Sequence, residues 1–402
     1  MAILAAKGAN SDAAMGAPVL VAFINDARSE ETIKALVQEQ LMTFTVVRRG
    51  NCRDAIAFMK NSASPRMLIV DISKSEIPLT EVDELINMCD PSVTVLVIGE
   101  ENDIGVYRDL TLIGVSDYIV KPLTPEILRR TISIRMGGKQ ASHTRHRAGK
   151  VICVTGARGG VGTTTFCANL AHMMSEESGR RVALVDLDLQ CGSLPMMLGL
   201  KSTVGFMEAL RNPHRVDNLF IDRTLIRKSD KLFVLSAEEP LDDTTAFDPA
   251  SLDVIFQTLS QRFHYVILDL PRHPGELYRR VLEHAAVRVI LANGTLTSIR
   301  DTIRITRMIG REDLGQRAYV LLNHTTPHGR AEISRLDFEK AVGRRIDFEI
   351  PYARAGLFTD NSGQMLCVHD GGYAAALRQF TNDLSGRPQQ THSMIQRLFN
   401  RR

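Results

Sequence analysis

The sequence predicts an α/β protein built from two doubly wound parallel-sheet domains. Between Val19 and Met136, five short apolar runs alternate with five amphipathic segments, a pattern that indicates a parallel sheet covered on both faces by helices. A further apolar run, KVICVT at residues 150–155, is followed by a glycine-rich loop and by helical spacing over residues 164–174. The stretch between the two patterns, GGKQASHTRHRAG at residues 137–149, is polar and has no periodicity, so it is predicted to be a linker.

The chain length supports this division. A chain of 402 residues exceeds the roughly 250–300 residues that a single hydrophobic core usually serves. We predict a disordered N-terminus (1–18), a first domain (19–136), a linker (137–149), a second domain (150–386) and a C-terminal tail (387–402).

Composition and charge exclude several classes of protein. Hydrophobic residues make up 44% of the chain and charged residues 24%, as in an ordinary globular protein. A net charge of +3 is too small for this length to indicate nucleic acid binding by itself, and the sequence shows no helix-turn-helix signal and no basic, aromatic-interleaved stripe, so a nucleic-acid partner is not expected. Six cysteines occur without a CxxC pair, which argues against a zinc site and against a secreted disulfide framework. The sequence shows neither a signal-peptide core nor a run of 18 apolar residues. We therefore expect a cytoplasmic protein.

The elements of the first domain follow from the residues in order. The apolar runs, each with the length of a buried strand, are VLVAFIN, TFTVV, MLIVD, TVLVIGE and DYIV. The amphipathic segments that follow them are SEETIKALVQEQL, CRDAIAFMKN, LTEVDELINM, VYRDLTLIG and EILRRTISIRM. This arrangement over residues 19–136 resembles the receiver domain of two-component response regulators, which has a flavodoxin-like fold.

The receiver resemblance implies a phosphorylation site. It places Asp71, at the end of MLIVD, as the phosphate acceptor and Lys121, in IVKPL, as the lysine that pairs with the phosphoryl group. The acidic pair that holds Mg²⁺ in the family is reduced to Asn25 and Asp26, and the hydroxyl residue that ends the fourth strand is replaced near Gly99. Two interpretations stay open: phosphorylation of Asp71, or a pseudo-receiver that serves in docking or dimerisation. The missing acidic residue and the missing hydroxyl residue favour the pseudo-receiver.

The loop of the second domain has the composition of a phosphate-binding loop. It lies in VTGARGGVGTTTFCANLA at residues 154–171, between a strand and a helix. Gly159, Gly160 and Gly162 allow successive N–H groups to point at phosphate oxygens, and the helix N-terminus adds partial positive charge. Thr163, however, stands where such loops carry a lysine.

Residues 150–386 resemble the MinD/ParA group of P-loop ATPases. Arg158 takes the place of the signature lysine that reaches across an ATP-bridged dimer in that group; arginine keeps the positive charge but is longer and planar. Thr163 replaces the lysine that touches the β- and γ-phosphates, Ala157 replaces the opening glycine, and Thr164 keeps the hydroxyl expected on Mg²⁺. The resemblance assigns nucleotide contacts to Gly159, Gly160, Val161, Gly162, Thr163, Thr164 and Thr165.

Three aspartates follow predicted strands of the second domain. RVALVDLDLQ ends a strand in Asp186 and Asp188, which alternation places on the same side. The resemblance makes Asp188 the switch residue that orients water and Asp186 a helper on the Mg²⁺ side. Asp269, at the end of FHYVILDLPR, matches the Walker B carboxylate that holds Mg²⁺ through water. Asp186 and Asp188 could instead cap the following turn.

A base-binding region is implied further along the chain. Asn323, at the end of YVLLNH, matches the asparagine that contacts the adenine edge in the MinD/ParA group, and Pro351 and Tyr352 stand where the base is flanked. Asn323 could equally be an ordinary residue between a strand and a loop.

The two domains together resemble the CpaE/TadZ proteins of Tad (Flp) pilus assembly systems. That resemblance, over residues 19–386, implies a localisation factor at the cell pole that forms a homodimer and recruits the pilus secretion ATPase and other Tad components. The implied cofactors are ATP and Mg²⁺, with weak or absent hydrolysis because Thr163 carries no charge. The alternatives are an active ParA/MinD-like ATPase that positions a cargo on membrane or DNA, a response regulator, and a fossil site without nucleotide.

The C-terminal tail is predicted to be basic and amphipathic. Its apolar residues, Met394, Ile395, Leu398 and Phe399, share one helical face, and arginines lie beside them. Such an end can make a weak peripheral contact with a membrane, which dimerisation would strengthen. A solvated tail without partners is the alternative.

Overall fold

The computed structural model divides the chain into two compact units, residues 1–147 and 148–402. It describes residues 18–62, 64–136, 148–203, 205–242, 246–310, 316–327, 333–354 and 363–385. The predictions for the N-terminus, for most of the linker and for the C-terminal tail lie outside the described residues.

The first unit alternates strands and helices along the chain. Its strands are β1 (Leu20–Ile24), β2 (Thr45–Arg49), β3 (Met67–Asp71), β4 (Thr94–Gly99) and β5 (Asp117–Val120). Its helices are α1 (Ala27–Glu39), α2 (Cys52–Asn61), α3 (Pro78–Met88), α4 (Ile104–Ile113) and α5 (Pro125–Met136). The strands pair in parallel in the order β2-β1-β3-β4-β5, which is the flavodoxin-like order.

Both faces of the first sheet are covered. Within β1, Val21 and Phe23 pack into one hydrophobic cluster, whereas Leu20, Ala22 and Ile24 pack into another on the opposite face. Successive side chains of a strand point to opposite faces, so an uninterrupted apolar run is what a doubly covered sheet requires. The doubly wound fold predicted for the first domain is confirmed.

The second unit is built on a larger sheet. Its strands are β6 (Lys150–Gly156), β7 (Val182–Asp186), β8 (Ile226–Arg227), β9 (Leu232–Leu235), β10 (Tyr265–Leu270), β11 (Val287–Ala292), β12 (Arg317–Asn323) and β13 (Phe348–Ile350). Its helices are α6 (Thr163–Glu176), α7 (Leu194–Met197), α8 (Gly205–Arg211), α9 (Asn218–Thr224), α10 (Ser251–Ser260), α11 (Glu276–His284), α12 (Leu296–Ile309), α13 (Arg335–Val342), α14 (Leu366–His369) and α15 (Gly371–Leu384).

The strand order of this sheet is β13-β12-β11-β6-β10-β7-β9-β8. Its pairs are parallel except at one edge, where β8 runs antiparallel to β9, so the sheet is mixed rather than purely parallel as predicted. Strand β7 ends at Asp186, and Asp188 lies in the turn after it. The predicted strand was therefore two residues too long, since it included Asp188. The chain turns directly after Asp186, whose carboxylate accepts a hydrogen bond from the Asp188 N–H.

An aromatic cluster fixes the last described helix to the sheet. Phe380 on α15 is 1% exposed, and its ring centroid lies 5.8 Å from that of Phe166 on α6. It lies 5.4 Å from Tyr319 on β12 and 5.3 Å from Phe348 on β13, both in edge-to-face geometry. One side chain thus joins a helix and two strands to α15.

Candidate nucleotide-binding site

The loop between β6 and α6 depends on glycine at two positions. Gly160 has φ of 77° and Gly162, the residue before α6, has φ of 85°, a region that L-residues with side chains rarely adopt. An added Cβ at Gly159 or Gly160 would meet nothing within 4 Å, whereas one at Gly162 would lie 2.9 Å from Asn323 Nδ2. The loop is therefore open at Gly159 and Gly160, where an anion could approach the backbone, and closely packed at Gly162.

The predicted phosphate and metal residues line one crevice, which we call the loop crevice. It lies at the carboxyl ends of the strands, where open α/β sheets bind ligands. Asp186 and Asp269 are register partners on the neighbouring strands β7 and β10. The loop crevice brings together Arg158, Gly159, Gly160, Gly162, Thr163, Thr164, Thr165, Asp186, Asp188 and Asp269.

The two aspartates after β7 hold the turn that follows. Asp186 Oδ1 accepts a hydrogen bond from the Asp188 N–H at 3.1 Å, and its Oδ2 accepts one from the Leu194 N–H at 3.2 Å. Asp188 Oδ1 accepts one from the Cys191 N–H at 2.9 Å. These are the capping contacts of the alternative interpretation, and both carboxylates also line the loop crevice.

Burial raises the pKa of two carboxyl groups in this crevice. Asp186 is 1% exposed, and burial, together with the neighbouring charge of Asp269, raises its pKa to about 7. Burial raises the pKa of Asp269 to about 6, although the Thr164 hydroxyl acts in the opposite direction by hydrogen bonding. A cation placed between these groups would favour their ionised forms.

The donors in the loop crevice suit Mg²⁺ that arrives with a nucleotide. Among the described residues, no group of three or more His, Cys, Asp or Glu side chains is placed to hold a metal ion alone. Mg²⁺ typically uses one or two carboxylates and completes its shell with phosphate oxygens and water. Asp269, the hydroxyl of Thr164 and Asp186 therefore provide hard oxygen donors of the kind this ion takes.

We expect a rise in pH to destabilise the second unit when Mg²⁺ is absent. The folded pKa values of Asp186 (about 7) and Asp269 (about 6) lie above the ordinary 3.8. The stabilisation that these groups provide is full below pH 3.8 and is lost as the pH rises through about 6 to 7. Each titrating group contributes a slope of roughly 1 kcal/mol per pH unit. Calorimetry of the full chain in EDTA, from about pH 5 to about pH 8, measures this slope.

Asp269→Asn is the matched variant for that measurement. It removes one of the two titrations and keeps the side-chain shape, so its melting temperature should depend less on pH than that of the wild type. Identical pH dependence in the two proteins would contradict the assignment. Added Mg²⁺ should stabilise the wild type more at high pH, because metal binding requires the ionised carboxylates.

Arg158 is held within its own unit. Its Nη1 lies 3.3 Å from Oδ2 of Asp301, an aspartate of α12 that is 1% exposed. Arg272, which follows β10 and lines the loop crevice, lies 3.0 Å from the same oxygen. Arg272 and Asp301 were not among the residues predicted from the sequence. The sequence feature that could have identified Arg272 is its position three residues after Asp269.

Thr163 carries no charge and packs against the end of β6. A Cβ added to Gly156 would lie 2.6 Å from Thr163 Oγ1. The position at which P-loops carry their lysine is thus occupied by a short hydroxyl side chain.

A second pocket, which we call the aromatic pocket, adjoins the loop crevice. The two share Gly162 and Thr165. The aromatic pocket brings together Asn323, Pro351 and Tyr352, and Leu366 and Tyr373 complete its wall. The position of these residues beside the loop is that expected of a base pocket.

Asn323 also supports the loop directly. Its Nδ2 donates a hydrogen bond to the Val161 carbonyl at 2.8 Å across 162 residues of chain. Contact of Asn323 with an adenine edge stays a prediction. The structure adds a role in fixing the loop, which sequence alone did not indicate.

The structure also brings Asp71 and Lys121 of the first unit together. Asp71 is fully buried, and its Oδ2 accepts hydrogen bonds from the Lys121 ammonium at 2.7 Å and the Asn25 N–H at 3.0 Å. Its Oδ1 accepts from the Ser73 hydroxyl at 2.6 Å and N–H at 3.0 Å, and Lys121 lies 2.7 Å from Asp26 Oδ2. Burial raises the pKa of Asp71, but this cation and these hydrogen bonds outweigh burial and hold the pKa below its usual value.

Tyr118 on β5 fills the place of the missing hydroxyl residue. A Cβ added to Gly99 would collide with the Tyr118 hydroxyl, which donates a hydrogen bond to the Glu101 carbonyl at 2.9 Å. A side chain at position 99 that could bind a phosphoryl group would displace this ring. The contact favours the docking interpretation of the first unit, and phosphorylation of Asp71 stays a prediction.

Comparison with known proteins agrees with this geometry. Residues 147–299 match the ParA family model, described as an NUBPL iron-transfer P-loop NTPase. The septum site-determining protein MinD of Bacillus subtilis is 25% identical over 196 residues, which are 48% of this chain and 72% of that protein. The second unit therefore contains a P-loop NTPase domain. More specifically, that domain is ParA/MinD-like.

Solved structures support the fold of this unit. A ParA family ATPase from Chlorobium tepidum is 22% identical with a TM-score of 0.53, covering 59% of this chain and 99% of that one. MinD from Pyrococcus horikoshii, solved with Mg-ADP, is 18% identical with a TM-score of 0.50, covering 58% and 95%. A pilus assembly protein CpaE from Caulobacter crescentus is 30% identical over 29% of this chain and 96% of that one, with a TM-score of 0.27. The first two establish the P-loop fold.

Proposed function

We propose that the second unit binds ATP with Mg²⁺ and that the bound nucleotide holds a homodimer together while being hydrolysed slowly or not at all. The observation that carries the proposal is the loop crevice itself. It keeps the glycine loop, the Thr164 hydroxyl and the buried carboxylates, whereas Thr163 replaces the lysine.

The residues of the loop crevice explain why ATP would be bound well but hydrolysed poorly. When bound, Mg²⁺–ATP supplies the phosphoanhydride bond and the charge that the loop neutralises. Backbone N–H groups of the loop and the N-terminus of α6 grip phosphate oxygens without a lysine. Phosphoryl transfer, by contrast, depends on cations placed at the developing charge, and Thr163 provides none. Asp188 would orient water near the loop, with its own carboxylate fixed by Cys191.

In the cell, we place this activity in a Tad (Flp) pilus assembly system. Support comes from the order of the units, a receiver-like unit followed by a ParA/MinD-like one, and from Arg158 and Thr163 in the loop. The protein would act in the cytoplasm at the pole and recruit the pilus secretion ATPase and other Tad components. Within the described residues, no helix is both long enough and apolar enough to span a membrane. The proposal includes a peripheral membrane contact through the tail predicted at residues 387–402.

ATP is expected to convert the protein from a monomer to a dimer. Light scattering of the full chain with Mg²⁺ and ATP should give the mass of a dimer, and ADP or no nucleotide the mass of a monomer. Arg158→Ala should abolish the dimer, and Arg223→Ala, an exposed arginine of α9, is the matched control. If the mass is the same with and without nucleotide, nucleotide-dependent dimerisation is contradicted. Assembly would then depend on surfaces that do not respond to nucleotide, such as those of the first unit.

An active ATPase that positions a cargo on membrane or DNA is the second candidate. The similarity to MinD and the retained Asp186, Asp188 and Asp269 favour it. Steady-state phosphate release distinguishes the two functions. Sustained turnover that Asp188→Ala abolishes would support the active ATPase, and phosphate release at the background rate would support the slow, dimer-holding site.

A further inference from the structure

The loop crevice is acidic for a site that would take a triphosphate. Asp186, Asp188 and Asp269 line it, and the loop lysine that would offset them is absent. Among the described residues that line this crevice, the cationic side chains are Arg158 and Arg272. Mg²⁺ bound with the nucleotide would offset part of the phosphate charge, but these carboxylates would also share its positive charge. Among the described lining residues, these two arginines are therefore the candidates for a protein cation at the phosphates.

Arg272 is placed by the strand that carries Asp269. Strand β10 ends at Leu270, Pro271 follows, and Arg272 is the next residue. About a third of its side chain is exposed, and it borders the same crevice as Thr163 and Thr164. The sheet and the proline fix the backbone at this position, and the contact with Asp301 holds the guanidinium at the crevice.

Asp301 holds both crevice arginines. Its Oδ2 is 3.0 Å from Arg272 Nη2 and 3.3 Å from Arg158 Nη1. Its other oxygen is contacted by Arg300 at 3.0 Å and, more distantly, by Arg304 at 3.8 Å. Hydrogen bonding from Arg300 and the other guanidinium charges hold the pKa of Asp301 below its usual value, even though it is buried. An ionised carboxylate therefore anchors the cluster.

The two crevice arginines have more donors than the contact with Asp301 requires. Each guanidinium has five N–H donors in a planar fork, and the contact with Asp301 is made by Nη1 of Arg158 and by Nη2 of Arg272. Such a fork can bind a carboxylate with one edge and a phosphate with another, which a lysine ammonium cannot do in the same fixed geometry. Anchoring at Asp301 is thus compatible with binding phosphate.

We propose that Arg272 is the phosphate-binding cation that substitutes for the lysine missing at position 163, with Asp301 as the residue that positions it. This inference rests on the proposed nucleotide site and names a further residue of it. Arg158 shares the same anchor, so the loop and the end of β10 are tied to α12 through one carboxylate.

The test is titration calorimetry of the full chain with Mg²⁺–ATP and, separately, with adenosine. Arg272→Ala should weaken ATP binding by about 10- to 100-fold, the range expected for a hydrogen bond to a charged group. Adenosine carries no phosphate, so its affinity should not change, which separates loss of a phosphate contact from general damage to the unit. Arg300→Ala is the matched control, because it removes an arginine from Asp301 but not from the loop crevice.

Two further variants keep the result interpretable. Arg272→Gln removes the charge but retains an N–H donor for Asp301, so it carries the test if Arg272→Ala does not fold, and it should weaken ATP and spare adenosine. Thr163→Lys in the Arg272→Ala background should restore ATP affinity, because it returns a cation to the ordinary P-loop position.

The outcomes separate the inference from the function on which it rests. If the wild type binds ATP and both Arg272 variants bind it equally well, the inference is overturned and the nucleotide site stands. If the wild type binds neither ATP nor ADP, the proposed function is overturned, and this inference with it. Equal losses for Arg272→Ala and Arg300→Ala would mean that the arginines only stabilise Asp301, which also overturns it.

Discussion

Lys121→Met is expected to destabilise the first unit by about 3–5 kcal/mol. The Lys121 ammonium lies 2.7 Å from Oδ2 of Asp71 and 2.7 Å from Oδ2 of Asp26. Asp71 is fully buried, so removal of the lysine leaves an ionised carboxylate in the interior without a counter-charge. The hydrogen bonds from Ser73 and Asn25 would remain and would compensate for only part of that loss.

Hydrogen exchange of the full chain is the suitable measurement, because it reports on each unit separately. Peptides from β1 and β3 should lose protection in Lys121→Met, while those from the second unit should not. Lys74→Met, at an exposed lysine on the chain just after β3, is the control and should leave both unchanged. Adding Asp71→Asn to Lys121→Met should recover part of the loss, since it removes the unpaired charge. Full protection in Lys121→Met would contradict the role assigned to the lysine.

Phe380→Ala is expected to destabilise the second unit by about 3–5 kcal/mol. The ring is 1% exposed and contacts Phe166, Tyr319 and Phe348, so its removal leaves a cavity between α15, α6 and two strands. Helix α15 also carries Tyr373, which lines the aromatic pocket, so ATP affinity should fall together with stability.

Exchange protection of α15 and ATP titration would measure the two effects. Gln379→Ala changes the neighbouring, exposed residue of the same helix and should alter neither. Loss of stability without loss of ATP affinity would show that the aromatic pocket holds its shape independently of α15.

Sequence periodicity predicted the first unit almost completely. An apolar run such as VLVAFIN can be satisfied only where both faces of a strand are buried, and the segments between the runs have one apolar face each. The loop glycines and Asp269 were also predictable, because their places follow from strand ends and from the order of motifs along the chain.

Contacts between distant segments were not predictable in the same way. Arg158 and Asp301 are 143 residues apart, and Asn323 and Val161 are 162 apart. Such pairs depend on which strands become neighbours in the sheet, and local pattern does not contain that information. The antiparallel strand β8 was missed for a related reason, since two residues are too few to show an alternation.

The short outer strands of the second sheet restrict how two copies can associate. Strand β8 has two residues and β13 has three, and Pro351, which has no backbone N–H to donate, follows β13 directly. An edge this short offers few backbone groups for a strand from another molecule, so growth of the sheet from copy to copy is disfavoured. Pairing of outer strands is therefore not the expected way for two copies of this unit to associate, and a homodimer would have to use other surfaces.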